Sequence, residues 1–160
     1  MRRILSVAAV ILVLCMVLSL AACGGNKSGS TADSAKNAEA EVTGEAALLK
    51  TYLESDAVQK QKENAAESLK DRMDVDFTAD GTTMVVTYTL KQEFLDASFP
   101  NGMTDETKEK VKASMEEYLN GQEETMKPMI DELKKLGMSD PTVRIEVLGP
   151  DGTDYGAKTF

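Results

Sequence analysis

The chain has no histidine and no tryptophan, only two cysteines, and aromatic residues make up 5% of its 160 positions. Without histidine the imidazole mechanisms fall away together: Ser-His and Cys-His nucleophiles, histidine metal sites, and a side chain that changes charge near neutrality. Positive charge is scarce as well. Eighteen Lys and Arg face 27 Asp and Glu, a formal net charge of −9. That balance argues against a nucleic-acid partner, because such binding rests on neutralising phosphates. The length allows one domain with appendages and hardly more.

What is present begins with an address. Met1-Arg2-Arg3 opens the chain, an uncharged stretch runs from Ile4 to Leu20, and Leu20-Ala21-Ala22-Cys23 closes it. A short basic start, an apolar run and small residues before a break describe a secretory signal peptide. An uncleaved transmembrane helix and cleavage without a lipid are the alternatives. Leu20-Ala21-Ala22-Cys23 resembles the lipobox of bacterial lipoproteins. The resemblance implies removal of residues 1–22, lipidation of the Cys23 sulfur and acylation of the new amino terminus. The protein is then anchored to the cell membrane by lipid, on its extracytoplasmic face. Cys15 leaves with the leader, so Cys23 is left alone and no intramolecular disulfide is possible. Loss of Arg2 and Arg3 lowers the basic count from 18 to 16 against the same 27 acids, a net −11. An anionic membrane surface repels such a body, so attachment falls to the lipid.

Residues 24–43 contain one branched aliphatic, Val42, and no aromatic. This composition reads as a flexible tether, residues 23–44 counted with the cysteine. Residues 45–160 read as one domain, large enough to bury a core without disulfides. Leu48, Leu49, Tyr52 and Leu53 recur at helical spacing, then Val58, Ala65 and Leu69, with Ser55-Asp56 placed to cap a second helix. Met73, Val75 and Phe77 alternate with polar residues, as do Met84, Val86, Tyr88 and Leu90. Asp80-Gly81 between them signals a hairpin. Residues 91–103 read as a loop packed down by Phe94, Leu95 and Phe99. Thr104 caps a long helix striped by Val111, Met115, Leu119, Met126, Ile130 and Leu133. Gly121 and Pro128 weaken it, Pro128 is expected to kink or split it, and Gly137 to end it. Val143, Ile145 and Val147 then alternate before a turn at Gly149-Pro150-Asp151-Gly152 and a last strand. The expected fold class is α+β: helix-hairpin-helix-hairpin, a four-stranded antiparallel sheet with helices on one face.

Tyr52-Leu53-Glu54-Ser55-Asp56-Ala57-Val58-Gln59, the Asp80-Gly81 hairpin with Val86-Thr87-Tyr88-Thr89, and Asp151-Gly152-Thr153 resemble a domain of unknown function in lipoproteins of Clostridia and related Firmicutes. The resemblance covers residues 45–160 and implies a Gram-positive cell surface. No activity attaches to that family, so no functional residue carries over.

Candidate chemistry is thin. Asp74, Asp76 and Asp80-Gly81 fit neither frame of an EF-hand, because Ala79 or Thr87 falls where glycine or glutamate is needed. Met126-Lys127-Pro128-Met129 has a thioether spacing suited to Cu(I), but with no supporting His or Cys it reads as core packing. Neither metal nor cofactor is expected. The acidic pairs Glu116-Glu117 and Glu123-Glu124 read as solvated helix faces. The expectation is a non-catalytic module that binds a protein, peptide or small solute, with Phe94, Leu95 and Phe99 as contact candidates. A carboxylate or Ser-Lys envelope enzyme and a passive envelope component are the alternatives. Replacing Cys23 with Ala should shift the chain from the membrane fraction to the soluble one. Retention of Cys23→Ala in washed membranes would refute the lipid anchor.

Overall fold

A computed structural model describes residues 38–160. The leader, Cys23 and most of the tether lie outside the described residues. In chain order the elements are α1 (Ala38–Leu53), α2 (Asp56–Leu69), β1 (Met73–Asp80), β2 (Thr83–Leu90), α3 (Gln92–Ser98), α4 (Asp105–Asn120), α5 (Glu123–Lys135), β3 (Thr142–Leu148) and β4 (Asp154–Thr159). The class is α+β, five helices and four strands among the described residues. α1 starts at Ala38, inside the stretch read as tether, because Ala38-Glu39-Ala40-Glu41 consists of strong helix formers. Ser55 separates α1 from α2 and caps the latter, its side chain accepting the Val58 N–H at 3.5 Å.

The strand order is β1-β2-β3-β4. β1 pairs antiparallel with β2 from Met73↔Leu90 to Asp80↔Thr83. The two-residue loop is therefore Gly81-Thr82, and Gly81 takes a φ of +61° at its first position, where a II′ turn favours glycine. β3 and β4 also pair antiparallel, but β2 and β3 run parallel, Thr83 opposite Thr142 and Thr89 opposite Leu148. The sheet is mixed, which corrects the expected all-antiparallel arrangement. The physical reason lies in residues 91–141. They leave the end of β2, cross the sheet as three helices, and return to its starting end, the long connection that parallel neighbours require.

Two further expectations are corrected. Residues 92–98, read as loop, form α3, closed by Gln92 bonding Asp96 one turn on at 2.8 Å and pinned by buried Leu95. The long second helix breaks at Gly121-Gln122 rather than at Pro128. Gly121 and Gln122 donate back to Tyr118 and Leu119 at 3.0 and 3.1 Å, and buried Gln122 starts the next turn. Pro128 lies exposed inside α5, so its ring sits on the solvent side of the helix, and the bond it cannot donate to the Glu124 carbonyl is lost there. Gly137, at φ +100°, ends α5 in a Schellman motif: Met138 N–H bonds Leu133 O at 3.4 Å and Gly137 N–H bonds Lys134 O at 3.0 Å. Both Met138 and Leu133 are buried.

One core cluster gathers Met73, Val75 and Phe77, then Met84, Val86, Tyr88 and Leu90, then Val143, Ile145 and Val147, with the helix stripes of all five helices. The alternate residues of the same strands are exposed or half-buried except Val85. Met126 and Met129 belong to this core, which accounts for their spacing. Asp74 and Asp76 pair with Lys91 at 3.1 Å and Lys62 at 2.5 Å.

α1 is clasped to the far end of α5. The Glu45 carboxylate accepts the Ser139 hydroxyl and, at 3.0 Å, the Ser139 N–H. Farther along, the Tyr52 hydroxyl meets Glu132, and burial of Tyr52, more than that charge, pushes its phenol pKa well up. The bonds from Ser139, its hydroxyl first, hold the Glu45 carboxyl below the ordinary glutamate range. Folding thus lowers this pKa. The clasp contributes in full above the unfolded value, about 4.3, and is lost as pH falls through the lower folded value. Protection of the Ser139 amide against hydrogen exchange should fall on acidification through that window. In Glu45→Gln, whose amide oxygen accepts without titrating, it should not. Equal pH dependence in both chains would refute the assignment.

Candidate functional site

A cavity of about 640 Å³ forms a cleft between the α3–α4 turn and one side of α4. α3 stops at Ser98, and Phe99 closes it by donating its N–H to Leu95 O at 2.7 Å. The chain then reverses over residues 99–102, where Gly102 N–H bonds Phe99 O at 2.8 Å and Gly102 takes a φ of +81°. That positive φ is what lets the turn fold back against α4 without strain. Thr104 starts α4, its side chain accepting the Thr107 N–H at 3.2 Å and meeting the Thr107 hydroxyl at 2.8 Å. Asp105 and Glu106 complement the helix dipole in the first turn. From there Thr107, Lys110, Val111 and Ser114 recur at intervals of three and four, so one side of the helix forms the second wall.

The walls are mainly carbon: the Phe99 ring, Pro100, Val111 and Ala113. Lys110 is the single ionisable residue of the lining. Its ammonium bonds Glu106 one turn back at 2.7 Å, and this bond, ahead of the attraction of charge, lowers the Glu106 pKa. Ser114 lies one turn beyond Lys110 and donates to its backbone carbonyl at 2.9 Å. The Ser114 hydroxyl and the Lys110 amine are therefore engaged with different partners. A smaller recess of about 350 Å³ lies between α5 and β4, beside Lys127, Lys158 and Phe160.

The contact candidates named from sequence separate here. Phe99 lines the cleft and is half-buried. Phe94 is half-buried and packs against the core, and Leu95, 4% exposed, belongs to the core itself. Cys23 lies outside the described residues. Lys110, Ala113 and Ser114 were not singled out from sequence, because their meeting with Pro100 depends on the turn at 99–102 folding back. Among the described residues no cluster of three or more Asp, Glu, Cys or His is placed to hold a metal, and no helix is long and apolar enough to cross a membrane. Glu116, Glu117, Glu123 and Glu124 are exposed.

The model of a domain of unknown function, DUF4854, matches residues 49–160. The chain belongs to this family. The match runs from the buried end of α1 to Phe160, so it takes in the whole sheet and the cleft of the DUF4854 domain. No curated protein and no solved structure matches the chain.

The cap that starts the cleft's helical wall offers a direct check. Thr104→Ala removes the acceptor for the Thr107 N–H and should cost about 1 kcal/mol of stability. The urea midpoint should fall with an unchanged slope, and Thr104→Ser should restore it. A midpoint equal to the native one would show that the cap contributes nothing.

Proposed function

We propose that the chain is a lipid-anchored binding module on the extracytoplasmic face of a Gram-positive cell membrane, without catalysis of its own. Its ligand is a small solute held in the α3–α4 cleft. The observation that carries this reading is the lining: apolar walls from two elements, a volume of about 640 Å³, and a single ionisable residue. That volume falls within the range of small-molecule sites. The engagement of Lys110 with Glu106, and of Ser114 with a backbone carbonyl, favours binding over a Ser-Lys mechanism, which needs the amine and hydroxyl joined. The leader and Cys23 support the location, and the lack of histidine supports the absence of catalysis.

The test uses the full chain purified from producing membranes under mild conditions. Native mass spectrometry should detect a bound small molecule, and Ala113→Trp should lose it by filling the cleft. Ala113 is exposed, so this variant should keep its native circular dichroism. A ligand retained equally by Ala113→Trp would place the site elsewhere. Turnover of that ligand by the purified chain would refute the non-catalytic reading.

A further inference from the structure

The lining of the cleft narrows the class of ligand, an inference that rests on reading the cleft as a binding site. Hydroxyl groups are present, but several already have partners within the wall. Thr104 and Thr107 bond each other at 2.8 Å, and the Thr104 oxygen also accepts the Thr107 N–H. Ser114 commits its proton to the Lys110 carbonyl. Ser98 and Asn101 add polar groups at the turn, but a sugar or other polyol would still set many of its polar groups against the carbon walls, and unpaired polar groups oppose binding. Carbon surface from Phe99, Pro100, Val111 and Ala113 instead favours a chain of methylenes.

Charge enters at one point. The Lys110 side chain is 69% exposed and that of its partner Glu106 is 80% exposed, so their bond is screened by water and exchangeable. An ammonium has three donors and Glu106 engages one of them through Oε1, leaving capacity for a second anion. The wall thus pairs a carbon surface with one cation at its open edge. We propose that the cleft binds a single-chain amphiphile with a carboxylate head, a long-chain fatty acid in chemical class. Its chain lies along Phe99, Pro100 and Val111, and its head meets Lys110. The association is non-covalent and leaves both partners chemically unchanged.

Photolabelling tests this on the full chain reconstituted in phosphatidylcholine vesicles. The probe is hexadecanoic acid carrying a diazirine near its methyl end, and labelled peptides are mapped by mass spectrometry. Label should concentrate in residues 98–114 and drop about tenfold in Ala113→Trp, the change that corresponds to one decade in affinity. Lys110→Gln should reduce labelling by the acid about threefold, an effect on the scale of an exposed ion pair. It should leave labelling by the methyl ester of the same probe unchanged. Labelling indifferent to Ala113→Trp overturns the proposal, and acid labelling indifferent to Lys110→Gln overturns the assignment of the head. The neutral dye N-phenyl-1-naphthylamine separates the two levels of the argument. If it binds in a manner blocked by Ala113→Trp while the acid does not label, the amphiphile class is wrong and the cleft remains a binding site. If neither probe binds, the amphiphile proposal falls, and a small molecule found by native mass spectrometry and lost in Ala113→Trp would still mark the cleft as a binding site.

Discussion

The pairing of β2 with β3 is the constraint on which the rest of the structure depends. Each hairpin closes through a short turn and needs nothing from the other. Joining them side by side in parallel obliges the chain to travel from Leu90 back to the level of Thr83 before β3 begins, opposite Thr142. Residues 91–141 make that journey, and the only economical way to hide an apolar sheet face on the way is as helices. α3, α4 and α5 are therefore both connection and roof. The cleft is a by-product of the first corner of this route, where α3 ends and α4 has to start in a different direction. The Thr83 and Thr142 hydroxyls, 2.7 Å apart, join the two strands at the end where the crossover lands.

The outward face of the sheet is built on different rules. Along β1 it carries Asp74, Asp76 and Thr78, along β2 Thr83, Val85, Thr87 and Thr89, and along β3 Arg144 and Glu146, bonded at 2.8 Å. Threonine suits a half-exposed pleated surface because its branched β-carbon packs while its hydroxyl stays wet. The edges are guarded as well. β4 is short, its pairing shifts register at Val147/Leu148, and it carries Lys158, which reaches Asn120 at 3.2 Å and lies 5.1 Å from the centre of the Phe160 ring. A charged residue and an irregular register discourage a further strand from adding to an edge. Gly156 lets this strand approach α4, since a Cβ there would stand 3.4 Å from both Met115 and Leu119 side chains.

Local chemistry was legible wherever a single residue type decides the backbone. Ser55 and Thr104 announce their helices because their oxygens replace missing acceptors, and Gly137 ends α5 because few other residues accept its φ. Alternation in Met73–Phe77 and Val143–Val147 marks the buried face of each strand whatever lies beside it. For the same reason it is silent on direction: a strand's pattern is identical beside a parallel or an antiparallel neighbour. α3 was hidden because its two turns are held by the burial of Leu95, a tertiary contact, rather than by propensity. The choice between Gly121 and Pro128 as the break was likewise tertiary, settled by the burial of Gln122 and the exposure of Pro128. In the cleft, Phe99 was visible as an aromatic without a place in any stripe. Lys110 and Ser114 looked like ordinary helix-surface residues, since the turn they face is distant in pattern though near in sequence.

The two bonds from Ser139 to Glu45 have a mechanical meaning. α1 is the first described element that a pull arriving from upstream would reach, and it joins the body at both ends of its docking side, through Glu45 to the residues ahead of β3 and through Tyr52 to α5. Such a pull loads the Glu45 junction before it loads the sheet. Hydrogen bonds stretched one after another yield at lower force than bonds loaded together. The Glu45 clasp would therefore yield first, while Leu49 and Leu53, buried in the core, hold the rest of the helix to the sheet.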